Sequence, residues 1–251
     1  MTWKIKLKSK LKTYSNAVLI AGLPGIANVG KIAADYLVAE LETKLFAEII
    51  SDEGPSFTLI NEKNLVVLPN IELYHKKINK TDFFFLIGDY QPTEDKDSYS
   101  LCKFLAQFIE KLKIKQVLTL GGIGLEDEPV KPKVFAAANN KKFVEILKKQ
   151  KINTNVSMKV ATILGVTGLL VALPKTNACA LLAETSAYPG FIGLGAAKEL
   201  LKKLKLMFGF KVKFNNLNKE INTIKKIAET LNMQQEKVSP KNRIRDVSYI
   251  G

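Results

Sequence analysis

Short apolar stretches along the chain predict the strands of a buried sheet. Consecutive apolar positions are typical of strands buried on both faces, as parallel strands are. Such runs, together with other short segments, predict strands at residues 17–21, 45–50, 71–78, 83–87, 116–120, 134–138 and 181–186. Residues 2–11 differ, because Trp3, Ile5 and Leu7 alternate with lysines. This alternation predicts a half-exposed strand at a sheet edge, where lysines discourage further pairing.

Apolar residues at helical spacing predict the helices that alternate with these strands. The clearest face runs through Leu101, Leu105, Phe108 and Leu112 of a helix predicted over residues 98–113. Further helices are predicted over residues 29–41, 141–150, 166–173 and 196–206, and a hairpin over residues 56–68. Strands and helices that alternate over about 200 residues favour an α/β fold in which helices sandwich a mixed, largely parallel sheet.

The turn after the first buried strand is a candidate ligand loop. Gly22, Pro24 and Gly25 form a tight turn, and Asn28 is the predicted N-cap of the helix that follows. Turns between a strand and a helix of an α/β sheet often border binding sites. A second glycine-rich segment is predicted as the exit of the 116–120 strand, and it extends the candidate loop to Gly121 and Gly122.

The same turn has part of the pattern of a phosphate-binding loop. Gly25, Gly30 and Lys31 have the Walker A spacing, but Ile32 stands where Ser or Thr would bind magnesium. Asp89, after the 83–87 run, is the only match to a magnesium carboxylate that we find. Two alternatives therefore stay open: a degenerate nucleotide site, or a turn that serves packing. The missing metal ligand favours the packing turn.

Polar residues end another apolar segment and form a second candidate site. Glu184, Thr185 and Ser186 precede a Tyr-Pro-Gly turn and a predicted helix. A serine nucleophile needs a base, and the chain has a single histidine, His75. Ser186 also lacks the flanking glycines of a nucleophile elbow. The alternative is a turn tied by side-chain hydrogen bonds. No catalytic constellation is predicted.

Composition limits the partners of this chain. Its formal charge is +14, yet only 2 of its 38 basic residues are arginine, the usual fork for bases and phosphates. Its lysines are spread along the sequence, so we expect loose, salt-sensitive binding to polyanions and no specific nucleic-acid site. Cys102 and Cys179 lack metal-ligand spacing, and the longest apolar run is too short for a bilayer. These features predict a cytoplasmic protein with no metal, cofactor or membrane partner.

The C-terminal part carries a narrow apolar seam and an apolar end. The seam has the spacing of a coiled-coil face and consists of Leu217, Ile221, Ile224, Ala228 and Leu231. It either packs on its own domain or pairs with another chain. The predicted organisation is an α/β domain over residues 1–210, an amphipathic helix over 211–233 and a flexible tail over 234–251. The tail ends in Val247, Ser248, Tyr249, Ile250 and Gly251.

Five motifs in order resemble the PAC2 family, in particular its archaeal branch of proteasome assembly chaperone-like proteins. The motifs lie at residues 23–30, 88–92, 121–124, 165–170 and 184–190, and the resemblance covers roughly residues 15–205. It implies a sandwich related in fold to nucleoside phosphorylases, without their established catalysis. It also implies a homo-oligomer, often a tetramer in this branch.

The resemblance further implies binding to the proteasome core particle. Some archaeal members insert a C-terminal hydrophobic–tyrosine–any tripeptide into pockets between α subunits, and a flexible arm with an aromatic anchor gains avidity from oligomerisation. In this chain the anchor is shifted, because Tyr249 is third from last and Ser248 precedes it. We therefore expect a non-enzymatic protein that contacts the core particle or its α subunits through Val247, Tyr249, Ile250 and Gly251. The alternative is a binder or enzyme for a nucleotide or nucleoside, which uses the glycine-rich loops.

Overall fold

A mixed eight-stranded sheet forms the centre of the protein. The computed structural model describes residues 2–158 and 160–223. Its strands are β1 (Trp3–Leu7), β2 (Ala17–Gly22), β3 (Lys44–Ser51), β4 (Leu59–Ile60), β5 (Val66–Val67), β6 (Ile71–Ile78), β7 (Thr81–Gly88), β8 (Gln116–Leu125), β9 (Val134–Ala138) and β10 (Asn177–Ser186). Strands β4 and β5 form a separate two-stranded sheet.

The large sheet is parallel in its middle and antiparallel at both ends. Its strand order is β1-β3-β6-β7-β2-β8-β10-β9. Strands β7, β2, β8 and β10 pair in parallel, and the outer strands join them as antiparallel neighbours. The predicted edge strand is β1, whose lysines lie at one margin of the sheet. The predicted mixed α/β fold is confirmed.

Helices cover both faces of this sheet. They are α1 (Val29–Glu40), α2 (Asp95–Leu112), α3 (Lys141–Lys149), α4 (Gly165–Ala172) and α5 (Leu194–Phe208). Helices α2 and α4 pack together on one face, over a core that includes Leu19, Leu101 and Leu170. Helices α1 and α5 pack together on the other face, where Ala33 and Leu37 are fully buried. The parallel strands lie between these two layers, as their largely apolar sequences require.

The first compact unit ends at Lys213, and a second begins at Phe214. Residues 215–223 of the second unit are helical, and they include Leu217 and Ile221 of the predicted seam. The other seam residues, Ile224, Ala228 and Leu231, lie outside the described residues. So do the terminal residues Val247, Tyr249, Ile250 and Gly251.

One local prediction is wrong, and the N-cap prediction for Asn28 is confirmed in its position alone. The glycine-rich segment from Gly121 to Gly124 is not the exit of a strand, because β8 continues through it to Leu125 and pairs residue by residue with β10. Asn28 does occupy the N-cap position of α1, but it adopts left-handed backbone angles with φ of 52°. Within the described part of the chain, its side chain makes no capping hydrogen bond. The parallel partner strand and the unusual turn geometry are both tertiary effects.

Candidate functional site

A cleft lies where the parallel strands β2 and β8 approach their carboxyl ends. Its volume is about 460 Å³, and it is open to solvent on one side. Segments far apart in sequence line it, among them Gly25, Ile26, Gly30, Gln91, Ser98, Gly121, Gly122, Leu164 and Thr167. The carboxyl ends of parallel strands are the usual place for ligands in α/β sheets. The structure thus brings four of the predicted ligand-loop residues, Gly25, Gly30, Gly121 and Gly122, to one cleft.

The glycines beside this cleft allow helix α1 to lie directly on the sheet. A Cβ atom on Gly30 would lie 2.2 Å from the Leu120 carbonyl oxygen, and one on Gly22 would lie 2.1 Å from the Gly30 carbonyl oxygen. Both obstacles are backbone atoms, which side-chain rearrangement cannot relieve. We call this contact between Gly22, Gly30 and Leu120 the glycine seam. It places the first turn of α1 at the inner wall of the cleft.

Gln91 joins the glycine turn to the first turn of α4. Its Nε2 donates to the Pro24 carbonyl oxygen, and its Oε1 accepts from the Val166 backbone N–H at 3.3 Å. Both ends of the amide are therefore used in holding two walls of the cleft together. We did not predict Gln91 as a site residue. The sequence feature that could have identified it is its polar amide in the Gly-Asp-Tyr-Gln-Pro segment, at the end of a buried strand.

Hydroxyl groups around the cleft also bond to the backbone. The Ser98 hydroxyl donates to the Pro92 carbonyl oxygen at 2.8 Å, and the Thr119 hydroxyl donates to the Thr167 carbonyl oxygen at 2.8 Å. Burial of such groups is tolerated because they are hydrogen-bonded. These two hydroxyls are therefore used within the fold. Thr93, Asp95 and Thr162 also line the cleft, so a ligand would meet both polar and apolar groups there.

Lys31 engages carboxylates instead of the cleft. Its Nζ lies 2.9 Å from Asp35 Oδ2 and 3.7 Å from Asp89 Oδ1. Burial raises the pKa of the Asp35 carboxyl, Lys31 opposes that rise, and the Asp89 charge adds to it. As far as the described residues define the cleft, Lys31 is not part of its lining. A Walker lysine must reach a phosphate in the loop, so this arrangement favours the packing alternative for the turn.

The second predicted site lies at the end of β10. Glu184, Thr185 and Ser186 are all buried there. Glu184 Oε2 accepts from the Lys133 backbone N–H at 3.1 Å, and Ser186 Oγ accepts from the Tyr188 backbone N–H at 3.1 Å. The serine hydroxyl therefore ties the turn that follows the strand. Among the described residues the Thr185 hydroxyl has no hydrogen-bond partner.

Asn28 lines a smaller depression beside the main cleft. Its volume is about 290 Å³, and it lies between the turn that precedes α1 and the segment that contains Tyr188 and Ile192. Ala27 and Asn28 both have left-handed backbone angles, and the Ala27 carbonyl oxygen accepts from the Gly193 N–H at 2.8 Å. Two successive non-glycine residues in this region are strained and need such support. Ile26 borders both the depression and the cleft.

Metal and membrane sites can be assessed only for residues 2–158 and 160–223. In that part of the chain, His, Cys, Asp and Glu side chains form no group of three that could hold a metal ion. None of its helices is both long and apolar enough to cross a bilayer. The single histidine, His75, instead pairs with Asp82 on the adjacent strand at 2.9 Å.

Comparison with known proteins identifies the family. The model of the PAC2 family matches residues 19–232. The chain belongs to the PAC2 family. A Methanocaldococcus jannaschii protein, MJ1210, is 27% identical over the whole of this chain and 97% of its own length. A second protein of that organism, MJ0106, is 29% identical over 97% of this chain and 96% of its own length.

Solved structures of archaeal proteins share the fold of this PAC2 chain. Pyrococcus furiosus PbaB, an archaeal proteasome activator, superposes with a TM-score of 0.81 and 24% identity, over 92% of this chain and 98% of PbaB. Pyrococcus furiosus PbaA, an archaeal homologue of a proteasome-assembly chaperone, has a TM-score of 0.73 and 24% identity, over 93% of both chains. The predicted family is confirmed.

The motifs that resemble the family come together in space. Residues of the first four motifs line the main cleft, and residues of the fifth, from Ala187 to Gly190, line the smaller depression. Glycines of these motifs permit close approach: Gly30 lies against the Leu120 backbone, and a Cβ atom on Gly122 would lie 2.9 Å from the Ile26 carbonyl oxygen. What unites them in this structure is the packing of one end of the sheet.

Proposed function

We propose that this PAC2-family chain is a non-enzymatic, homo-oligomeric protein that acts on the proteasome core particle in the cytoplasm, as an assembly chaperone or an activator. The observation that carries the proposal is the fold shared with PbaB over nearly the full length of both chains. PbaA, named as a homologue of an assembly chaperone, supports the same class of partner.

The proposed contact is the C-terminal tail. The tail supplies an aromatic group and branched apolar groups within a few residues, at Val247, Tyr249, Ile250 and Gly251. Large aromatic side chains that enter a pocket carry much of the energy of protein interfaces. Several tails on one oligomer would raise the avidity for a ring of α subunits. The seam residues Leu217, Ile221, Ile224 and Leu231 are the proposed contribution of the C-terminal helix to self-association, with a tetramer as the expected state.

The test is a binding measurement with the cognate core particle and with its isolated α subunits. The intact protein is compared with a form that lacks residues 249–251, and Tyr249→Ala is compared with Ser248→Ala as a matched control. We expect the truncation and Tyr249→Ala to abolish or strongly weaken binding while Ser248→Ala retains it. Binding that survives truncation would place the contact on the α/β body. Absence of binding by the intact protein would refute the proteasome role.

A second candidate function rests on the main cleft, which the glycine-rich segments line. Its volume of about 460 Å³ is sufficient for a nucleoside or a nucleotide. The test is a thermal-shift titration with nucleosides and nucleotides. Gly25→Leu would fill the cleft, since Gly25 has extended backbone angles and a Cβ atom added there would have its nearest neighbour 3.8 Å away. A saturable shift that this variant removes, and Gly54→Ala retains, supports ligand binding; no shift with any compound removes this candidate.

A further inference from the structure

The segment between β3 and β6 forms an arm that stands apart from the main sheet. Within it, β4 and β5 pair Leu59 with Val67 and Ile60 with Val66. The turn is well tied, because Asn61 Oδ1 accepts from the backbone N–H groups of Lys63 and Leu65, each at 3.0 Å. We call residues 56–68 the arm. Its conformation is held by its own hydrogen bonds, so it presents a defined surface.

One face of the arm carries apolar side chains in solvent. Ile60 is 74% exposed, Val66 69%, Leu65 57% and Leu68 76%. Neighbouring residues of a strand point to opposite faces, so the paired Ile60 and Val66 lie on one face. On the other face Leu59 is half-buried and Val67 is 37% exposed. An apolar face left in solvent is typical of a surface that a partner covers.

A cavity lies at the base of the arm. Its volume is about 390 Å³, and its lining combines apolar groups of Ile49, Ile50, Pro55, Leu68 and Tyr90 with polar groups of Glu48, Ser51, Asp52 and Asn70. A protruding apolar arm and a recess of mixed lining therefore occur on one continuous patch. An isologous dimer uses the same patch on both copies, so a projection on each must meet a recess on the other. The arm and the cavity satisfy this requirement.

The charges of this patch suit a second copy of the same chain. Two copies of a protein with net charge +14 repel each other over most of their surfaces. Residues 51–70 contain three acidic residues and one lysine. Next to them, Glu48 pairs with Lys6 at 3.6 Å and with Lys8 at 2.8 Å, which balances those charges within one copy. Like-charge repulsion between two copies is therefore small at this patch.

The exposed apolar residues of the arm can supply part of an interface. Ile60, Leu65, Val66 and Leu68 are each more than half exposed, and they would contribute to the ~800 Å² that each partner buries in a standard interface. We infer that the arm docks onto the arm and basal cavity of a second copy and forms a twofold interface of the oligomer. This inference rests on the self-association part of the proposed function and assigns the surface that performs it.

The test is the association state of arm variants. The natural chain, the double variant Ile60→Ser/Leu68→Ser and the control Leu206→Ser are compared by light scattering and sedimentation over a series of concentrations. Leu206 is 79% exposed on α5, so the control removes a similar apolar side chain elsewhere. We expect the double variant to dissociate at least about tenfold more readily, and the control to associate as the natural chain does. Circular dichroism verifies that each variant is folded.

Three outcomes overturn the inference. They are a monomeric natural chain, an oligomer that the double variant leaves intact, and equal loss of association in the control. Core-particle binding, measured on the same samples, separates this inference from the proposed function. A natural chain that binds the core particle as a monomer refutes the twofold interface and the proposed self-association, and leaves the proposed proteasome contact standing. A double variant that keeps its oligomeric state but loses core-particle binding shows that the arm contacts the proteasome instead.

A cross-link supplies an independent measurement on the folded protein. Leu65→Cys places a thiol at the turn of the arm, and the native Cys102 and Cys179 are buried, so they do not compete for reagent. A thiol-to-amine reagent is applied to a mixture of isotopically labelled and unlabelled copies. We expect mixed-isotope peptides that join position 65 to Lys6, Lys8 or Lys63 of the other copy. Cross-links confined to single copies would contradict the interface.

Discussion

The glycine seam and the arm show opposite relations between sequence and surroundings. At the glycine seam the glycines are enclosed completely, and helix α1 touches the backbone of β8. In the arm, large apolar side chains lie in solvent although each belongs to a residue type that is usually buried. One region uses its small residues for contact within the chain, and the other keeps its large residues available for contact outside it.

The two regions are therefore expected to affect different properties of the protein, its folding stability and its association. A change at the seam acts on the folding of the α/β unit, since no rearrangement relieves a clash with backbone. A change in the arm removes area that the isolated chain leaves exposed, so it acts on association. Substitutions in each region test whether the two are as separate as the structure indicates.

The largest effect on stability is expected at the glycine seam. Gly30→Val would place a side chain against the Leu120 carbonyl oxygen, so it should lower the free energy of unfolding by about 3 kcal/mol or more. The measurement is urea denaturation followed by circular dichroism. Gly25→Ala is the matched control, because its nearest neighbour is 3.8 Å from the added Cβ atom, and it should change the free energy by less than about 0.5 kcal/mol. Equal effects at the two positions would contradict the seam.

The second-largest effect is expected in the pH dependence of stability, through the buried Cys179 thiol. Burial raises the pKa of the Cys179 thiol to about 12, so in alkaline solution the unfolded chain loses this proton before the folded chain does. The unfolded state then binds fewer protons, and stability falls as the pH rises above the unfolded value of about 8.5. Between pH 8 and pH 10, Cys179→Ala should reduce that fall by about 2 kcal/mol.

This prediction is checked by urea denaturation of both proteins across that pH range. The comparison uses the change with pH, because the cavity left by the alanine affects both ends of the range equally. Identical pH profiles would mean that Cys179 is accessible to water in the folded protein. The core around β10 would then be less closed than its burial indicates.

A smaller effect is expected at the wall of the main cleft. Gln91→Leu removes both hydrogen bonds of the amide and leaves the Pro24 carbonyl and the Val166 N–H without it, which should cost about 1–2 kcal/mol. Gln107→Leu, at an exposed position of α2, is the control and should be nearly neutral. Denaturation and amide exchange at Val166 provide the measurements. Unchanged exchange at Val166 would refute the role of Gln91 as a link.

The smallest effect on stability is expected in the arm. Ile60→Ser should change the free energy of unfolding of the monomer by less than about 0.5 kcal/mol, because Ile60 is largely exposed. Denaturation at protein concentrations below the dissociation point isolates this quantity. A loss of several kcal/mol in the monomer would show that the arm packs on its own domain, and the contrast with the seam would disappear.

Much of the sheet was predictable because its strands are locally encoded. Strands β6 and β9 have the predicted bounds, Ile71–Ile78 and Val134–Ala138. The arm was predicted as a hairpin from its turn residues and flanking apolar segments. Period and turn chemistry act over a few residues, so they can be read from a single chain.

Part of the candidate site was predictable and part was not. The glycines at positions 25, 30, 121 and 122 were assigned together, and they do meet at the cleft. The link through Gln91 was missed, because its two partners are 67 and 75 residues away in sequence. The backbone of Asn28 was also out of reach, since the Gly193 contact that supports the preceding residue is non-local.

By itself the sequence determined the order of strands and helices, the apolar faces and the PAC2 motifs, because these depend on neighbours along the chain. Only the tertiary structure decided which residues of the motifs contact one another and which pair in the sheet. Gly121 and Gly122 became strand residues because β10 pairs with them, and Gly30 became a packing residue because Leu120 lies against it. The same apolar residue types are buried in β2 and exposed in the arm. Burial depends on what surrounds a side chain in three dimensions, and the local pattern does not contain that information.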